Sequence, residues 1–237
     1  MGIDHKVRFR SEEQIAEIAA ICWRLLPPKQ GSTFDVVGFL KRILLLEGID
    51  CVTTSGFRKK GKLSIKYFDR EFIQDDPAYV EFAKNKRDKY VTLNVDKTIW
   101  RSALQDDCFS KEVLAHEIGH VLLHDHHEHS YSSDPSAQKP FEGTSKEDFA
   151  EWQAITFAGH LLIPDNVARK FKNADVLATL TNTTEKLAQS RLVAAQNTKT
   201  SLFTKYENDV CENCGNITVS RAGCTLRCHT CNHMVQM

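Results

Sequence analysis

The sequence predicts an α+β domain followed by a small cysteine-rich module, and three observations carry that prediction. Helix-period apolar runs flank a block of short β-branched and aromatic segments between Cys51 and Val95. A second series of helical runs follows that block. Five of the eight cysteines then crowd into residues 211–231.

Each element has its own local signal. Ser11-Glu12-Glu13-Gln14 is a capping-box pattern that opens an amphipathic run through Ile15, Ile18, Ile21, Cys22 and Leu25, and Pro27-Pro28 stops it. Ser32 or Thr33 can cap a second helix carrying Val36, Val37, Phe39, Leu40, Ile43 and Leu44, with Gly48 at its end. CVTTS, KLSIKYF, AYVEFA and YVTLNV then read as a small, mostly antiparallel sheet of three to five strands. Ser110 is placed to cap KEVLAHEIGHVLLH, a strongly apolar helix. Residues 125–144 are polar without periodicity and predict a connecting loop. Ser145 opens the run KEDFAEWQAITFAGHLLI, which Pro164 closes, and short helices are expected over 165–172, 174–181 and 184–196. The expected organisation is a main domain over residues 1–197, a linker over 198–208 and a terminal module over 209–237.

Bulk properties bound the function. A chain of 237 residues suffices for one sizeable domain and an appendage. Its 31 basic and 31 acidic residues cancel, which argues against a generally basic nucleic-acid binder. No apolar run approaches the roughly 20 residues of a membrane span, and the first residues lack the apolar stretch of a signal peptide. A cytoplasmic protein with no membrane partner is expected. In a reducing compartment the clustered cysteines read as metal ligands rather than disulfides, and Cys22, Cys51 and Cys108 as small apolar residues.

Residues 116–120 read His-Glu-Ile-Gly-His. On a helix, positions i and i+4 share one face about 6 Å apart along the axis, so His116 and His120 can reach one Zn²⁺. Glu117 points in an adjacent direction, suited to a zinc-bound water rather than to the ion. The metal draws the pKa of that water towards about 7, and Glu117 then acts as general base. A chance pairing in a chain with ten histidines is the competing reading, and the capped, apolar helix around the motif weighs against it. A catalytic zinc needs a third protein ligand. His126 would supply it in an HExxHxxGxxH arrangement, but Leu123 stands where that pattern needs glycine, and the only downstream methionines are Met234 and Met237. The remaining candidates are Glu147 and Glu151. Glu151 shares a helical stripe with Ala154, Phe157, Ala158, Leu161 and Leu162 that would pack against the HEIGH helix.

The tail holds Cys211-Glu-Asn-Cys214 and Cys228-His-Thr-Cys231 around the segment ITVSRAGCTLR. Two CxxC knuckles joined by a hairpin are the pattern of a zinc ribbon. There Cys211, Cys214, Cys228 and Cys231 close a structural, four-thiolate site and Cys224 is a bystander. Arg221, Arg227 and His229 give the ribbon some positive charge without interleaved aromatic residues, so any nucleic-acid contact is expected there only and weakly.

HEIGHVLLH, then a polar loop, then Glu151, Ala154, Phe157, Ala158, Leu161, Leu162 and Pro164 at ExxAxxFAxxLLxP spacing, resembles the ImmA/IrrE-type metallopeptidases. YVTLNVDKTIWRSALQDDCFSKEVLA and TTEKLAQSRLVA resemble flanking segments of that family, and the resemblance covers roughly residues 10–197. It implies a zincin-like α+β core with His116, His120 and Glu151 as zinc ligands and Glu117 as the base. It also implies a regulatory endopeptidase that cleaves or inactivates a repressor-type protein. The chain departs from the family at Ile155, where Asn or Asp is common, and Glu147 stays the alternative ligand. His124 matches the family's HEIGHxxLH ending and is expected to close the helix rather than bind metal; His160 is expected in the core. Two other readings compete: a SprT-like protease acting on DNA-bound proteins, which also joins HExxH to a ribbon, and a non-catalytic, zinc-stabilised adaptor. The FAxxLLxP helix weighs against the first and the intact Glu117 against the second.

Overall fold

The computed structural model describes residues 7–27, 33–49, 61–71, 76–83, 90–124, 149–197, 219–222, 225–228 and 234–236. The chain forms two compact units, Met1–Val193 and Ala194–Met237. The first expected strand (CVTTS), the polar loop, Glu147, the 198–208 linker, and Cys211, Cys214 and Cys231 lie outside the described residues.

Helix α1 (Glu12–Leu25) begins as its capping box dictates: Gln14 N donates to Ser11 Oγ, and Ser11 N donates to Gln14 Oε1 at 3.1 Å. Ile15, Ile18, Ile21 and Cys22 form its buried face. The next helical segment starts later than the Ser32 or Thr33 expected. Asp35 is its cap, accepting from Gly38 N at 2.7 Å, and α2 (Val36–Phe39) runs straight into a π-helical turn over Leu40–Leu44. The wider turn accommodates one extra residue while Leu40 and Leu44 both stay buried. Gly48 follows at φ +86°, the left-handed conformation for which glycine lacks the usual steric penalty.

The sheet holds β1 (Lys62–Phe68), β2 (Ala78–Phe82) and β3 (Tyr90–Asp96) in the order β1-β3-β2. It is mixed, not mostly antiparallel. β2 pairs antiparallel with β3 (Ala78 opposite Val95, Phe82 opposite Val91), whereas β1 pairs with β3 in parallel, Lys62 opposite Tyr90 to Phe68 opposite Asp96. The chain reverses direction twice, so β1 and β3 point the same way. β3 carries Val91, Leu93 and Val95, all buried, and its apolar face takes the centre of the sheet.

Helix α3 (Lys97–Leu104), which periodicity alone left unassigned, follows β3 directly. Asp106, at φ +67°, turns the chain into α4 (Cys108–Leu123). The cap of α4 is Asp107, which accepts from Ser110 N at 2.8 Å; Ser110 lies inside the helix and is buried. α4 is buried over most of its surface, with Lys111, Glu112, His116, Glu117 and His120 among its polar positions. Leu114, Ala115, Ile118, Val121 and Leu123 are fully buried, and α4 packs on α5 and also meets α2, α3, β2 and β3.

Helix α5 (Ala150–Leu162) begins five residues after the Ser145 start expected, because Phe149 is extended (φ −103°, ψ 134°) and acts as the cap without a side-chain bond. The predicted stripe is buried: Ala154, Phe157 and Leu161 have no exposure. Trp23 Nε1 donates to Leu161 O at 2.8 Å and ties α1 to α5. The short helix α6 (Asp165–Ala168) ends four residues before the expected 172, whereas α7 (Ala174–Thr181) and α8 (Glu185–Asn197) follow close to the expected spans.

In the second unit β4 (Val219–Ala222), β5 (Thr225–Cys228) and β6 (Met234–Gln236) form an antiparallel sheet ordered β4-β5-β6. The β4–β5 hairpin falls where the tail pattern predicted one, and Cys228 ends β5 opposite Val219. No described helix is long and apolar enough to cross a membrane.

Candidate metal centre

His116 and His120 lie one turn apart on α4, and Glu151 stands in the first turn of α5. The two helices approach closely because the residues at their crossing are small. A Cβ built on Gly119 would sit 3.0 Å from Ala154 Cα and 3.2 Å from Ala154 O. Glycine at 119 and alanine at 154 therefore bring the α5 carboxylate to the histidines.

The result is a convergence of three donors. His116 Nε2 lies 3.0 Å from His120 Nε2. Glu151 Oε2 is 3.3 Å from His116 Nε2, and Glu151 Oε1 is 3.3 Å from His120 Nε2. One ligand atom from each residue lies within 4.8 Å of the others. This donor set fits a small divalent cation. Ligands at tetrahedral zinc distances of about 2.0–2.1 Å stand about 3.3 Å from one another, close to the separations seen here. Two imidazoles and a carboxylate are zinc-type donors, and lone pairs this close need a proton or a cation among them. All three side chains keep some exposure, with Glu151 the most open, so one side of the centre faces solvent.

The surrounding charges act in opposite senses on the acids. Close contact with the His116 and His120 rings holds the Glu151 carboxyl well below the usual range, against its partial burial. Burial pulls His116 down, yet its bond to Glu151 and the charges of Glu117 and Glu151 outweigh that and leave it raised. Glu117 is pushed up by burial and by the negative charges of Glu151 and Asp76, with His120 and His116 opposing. Glu117 and His116 open onto a cleft of about 320 Å³ with an apolar wall of Val113, Ile155, Ala158 and Leu187. Asp76 and Glu112 add negative charge to its rim, and Glu112 accepts from Thr184 N at 2.5 Å.

The two residues behind His120 are the ones sequence reasoning missed. His124 is the C-cap of α4, as expected, but its ring turns inward and is fully buried. His124 Nδ1 lies 3.0 Å from His120 Nδ1, and His124 Nε2 lies 3.2 Å from Gln153 Oε1. Gln153, also fully buried, donates from Nε2 to Arg8 O at 2.8 Å. The HxxxHxxxH spacing of 116, 120 and 124 was the available signal; Gln153 had none. Ile155 is half exposed and lines the cleft. Of the tail ligands expected, only Cys228 falls within the described residues.

A helix presenting two histidines and a buried glutamate at a cleft, completed by an acid from the next helix, defines a metallopeptidase-like site. Residues 79–192, from within β2 into α8, match the family model Peptidase_M78, the IrrE N-terminal-like domain. This match supports the ImmA/IrrE resemblance carried by the motifs, and with it a peptidase-type hydrolase. Comparison with curated proteins and with solved structures returns no match.

Proposed function

We propose that the chain is a zinc-dependent endopeptidase of regulatory type, acting on a protein of the transcriptional-repressor class. The observation that carries the reading is the meeting of His116, His120 and Glu151 beside buried Glu117, which with His116 lines a cleft of about 320 Å³. His116, His120 and Glu151 would hold the ion. When bound, zinc supplies Lewis acidity, acidifying water and polarising a carbonyl. Glu117, too far round the helix to share the ligand plane, takes the proton of the attacking water and delivers it to the departing amine. The apolar cleft wall orients an extended segment of substrate and keeps bulk water from the reacting carbonyl.

A second zinc in the tail, held by Cys211, Cys214, Cys228 and Cys231, is supported by the CxxC spacing and by the β4–β5 hairpin that ends at Cys228. In this reading the ribbon serves recognition, of the protein target or of the nucleic acid the target binds. The IrrE-type match over 79–192 favours the ImmA/IrrE-type peptidase over the SprT-like alternative.

The test is co-expression of the chain with candidate repressors, wild type against Glu117→Gln. The substitution keeps the shape of the site and its ligands but removes the base. Cleavage is expected to fall at least about 10²–10⁴-fold with zinc content unchanged. Cleavage that persists in Glu117→Gln refutes the mechanism, and binding without cleavage by the wild type points to an adaptor. Strong stimulation by DNA would favour the SprT-like reading.

A further inference from the structure

We infer that His124 and Gln153 are positioning residues that hold His120 in the one tautomer able to present Nε2 to a metal. The inference rests on the zinc-site reading and extends it to residues outside the ligand set.

Gln153 Nε2 donates to the carbonyl of Arg8 at 2.8 Å, which fixes the orientation of the amide. Gln153 Oε1 therefore faces His124, and it also receives Arg10 Nη1 at 3.4 Å. An amide oxygen only accepts, so His124 Nε2 must carry the proton between them. A neutral His124 then has a bare Nδ1. That nitrogen lies 3.0 Å from His120 Nδ1, which must supply the proton of that contact. His120 is left with a bare Nε2, and this is the atom that faces Glu151 and His116. The carbonyl of Arg8, at the start of the fold, thus determines the proton placement at the centre through two intervening side chains.

The arrangement also accounts for Ile155. The family position four residues after the ligand glutamate commonly carries a polar residue, but here it is a half-exposed isoleucine of the cleft wall. Support for a ligand histidine comes instead from the opposite side, through His124 and Gln153. Both are fully buried, so the relay is shielded from competing water. Partners of this kind orient a ligand ring and raise its basicity.

Two glutamine variants separate this role from plain structural support. Gln153→Met removes the acceptor facing His124 and the donor to Arg8 O. Gln153→Glu loses the same donor but keeps the acceptor, with Arg10 to balance its charge. Zinc affinity is measured on the full chain by chelator competition, taking the zinc bound in excess of His116→Ala as the occupancy of this site. Gln153→Met is expected to bind about ten- to hundredfold more weakly, while Gln153→Glu stays near the wild type. Equal affinity of Gln153→Met and wild type, or equal weakening of both variants, overturns the inference. Long-range ¹⁵N–¹H correlation spectra of the wild-type imidazoles give a readout that needs no variant to fold. The protons are expected on His120 Nδ1 and His124 Nε2; a proton on His124 Nδ1 overturns the inference. A wild-type chain that binds no zinc beyond His116→Ala sinks the proposed function instead, and the ring protons still decide the relay.

Discussion

Asp96 closes β3 and opens α3. Its buried carboxylate accepts N–H bonds from Arg70 and Thr98, each at 2.8 Å, and from Ile99 at 3.3 Å. Burial raises its pKa, but those bonds outweigh burial and leave the group below the usual carboxylate value. A depressed folded-state pKa contributes stability that is complete above the unfolded value and lost as pH falls through the folded one. Asp96→Asn keeps an acceptor but no charge. Urea unfolding should show it about 1 kcal/mol less stable than wild type near neutrality. That gap should close as the pH drops below about 4; a gap that does not change with pH would contradict the assignment. At this scale the sequence was legible where partners are neighbours in the chain. His116, Glu117 and His120 are read from one helical turn. Asp107 was overlooked as the cap of α4 because Ser110, three residues on, is an equally plausible cap by residue type.

The contact between α4 and α5 sets the distance from the Glu151 carboxylate to the histidines. Gly119 lies at their crossing, and its neighbour there is the backbone of Ala154, which cannot rotate away. Gly119→Ala should push α5 outward. It is expected to cost about 1–3 kcal/mol in stability and to weaken zinc binding along with it; full retention of both would show that the crossing has slack. Helices were legible from caps, prolines and period, and α7 and α8 fall close to their expected spans. Strand partners were not. β1 lies beside β3 rather than beside β2, its neighbour in sequence, a pairing that no local segment encodes.

Four helices meet at one buried guanidinium. Arg191 of α8 donates from Nε to Ile163 O at 3.2 Å, bonds His160 Nδ1 of α5 at 3.0 Å, and pairs with Asp165 of α6 and with Glu12 of α1. His160 was expected in the core and is buried there, but as a polar partner rather than packing filler. Arg191→Met should cost about 1–3 kcal/mol, since it leaves a buried carbonyl and imidazole without their donor. Thermal unfolding of the metal-free chain tests this, and an unchanged midpoint would refute it. Metal analysis of the purified chain should give about two zinc ions, falling to one in His116→Ala, if both sites are read correctly.

The donors of the centre are divided between two helices that residues 124–149 keep apart along the chain. Neither helix offers more than two of the three groups, so a nascent or cleaved polypeptide that has not yet brought α5 against α4 has only a weak grip on the ion. In the proposed reading, full coordination of the ion, and the chemistry that depends on it, would therefore have to wait until α5 has docked on α4.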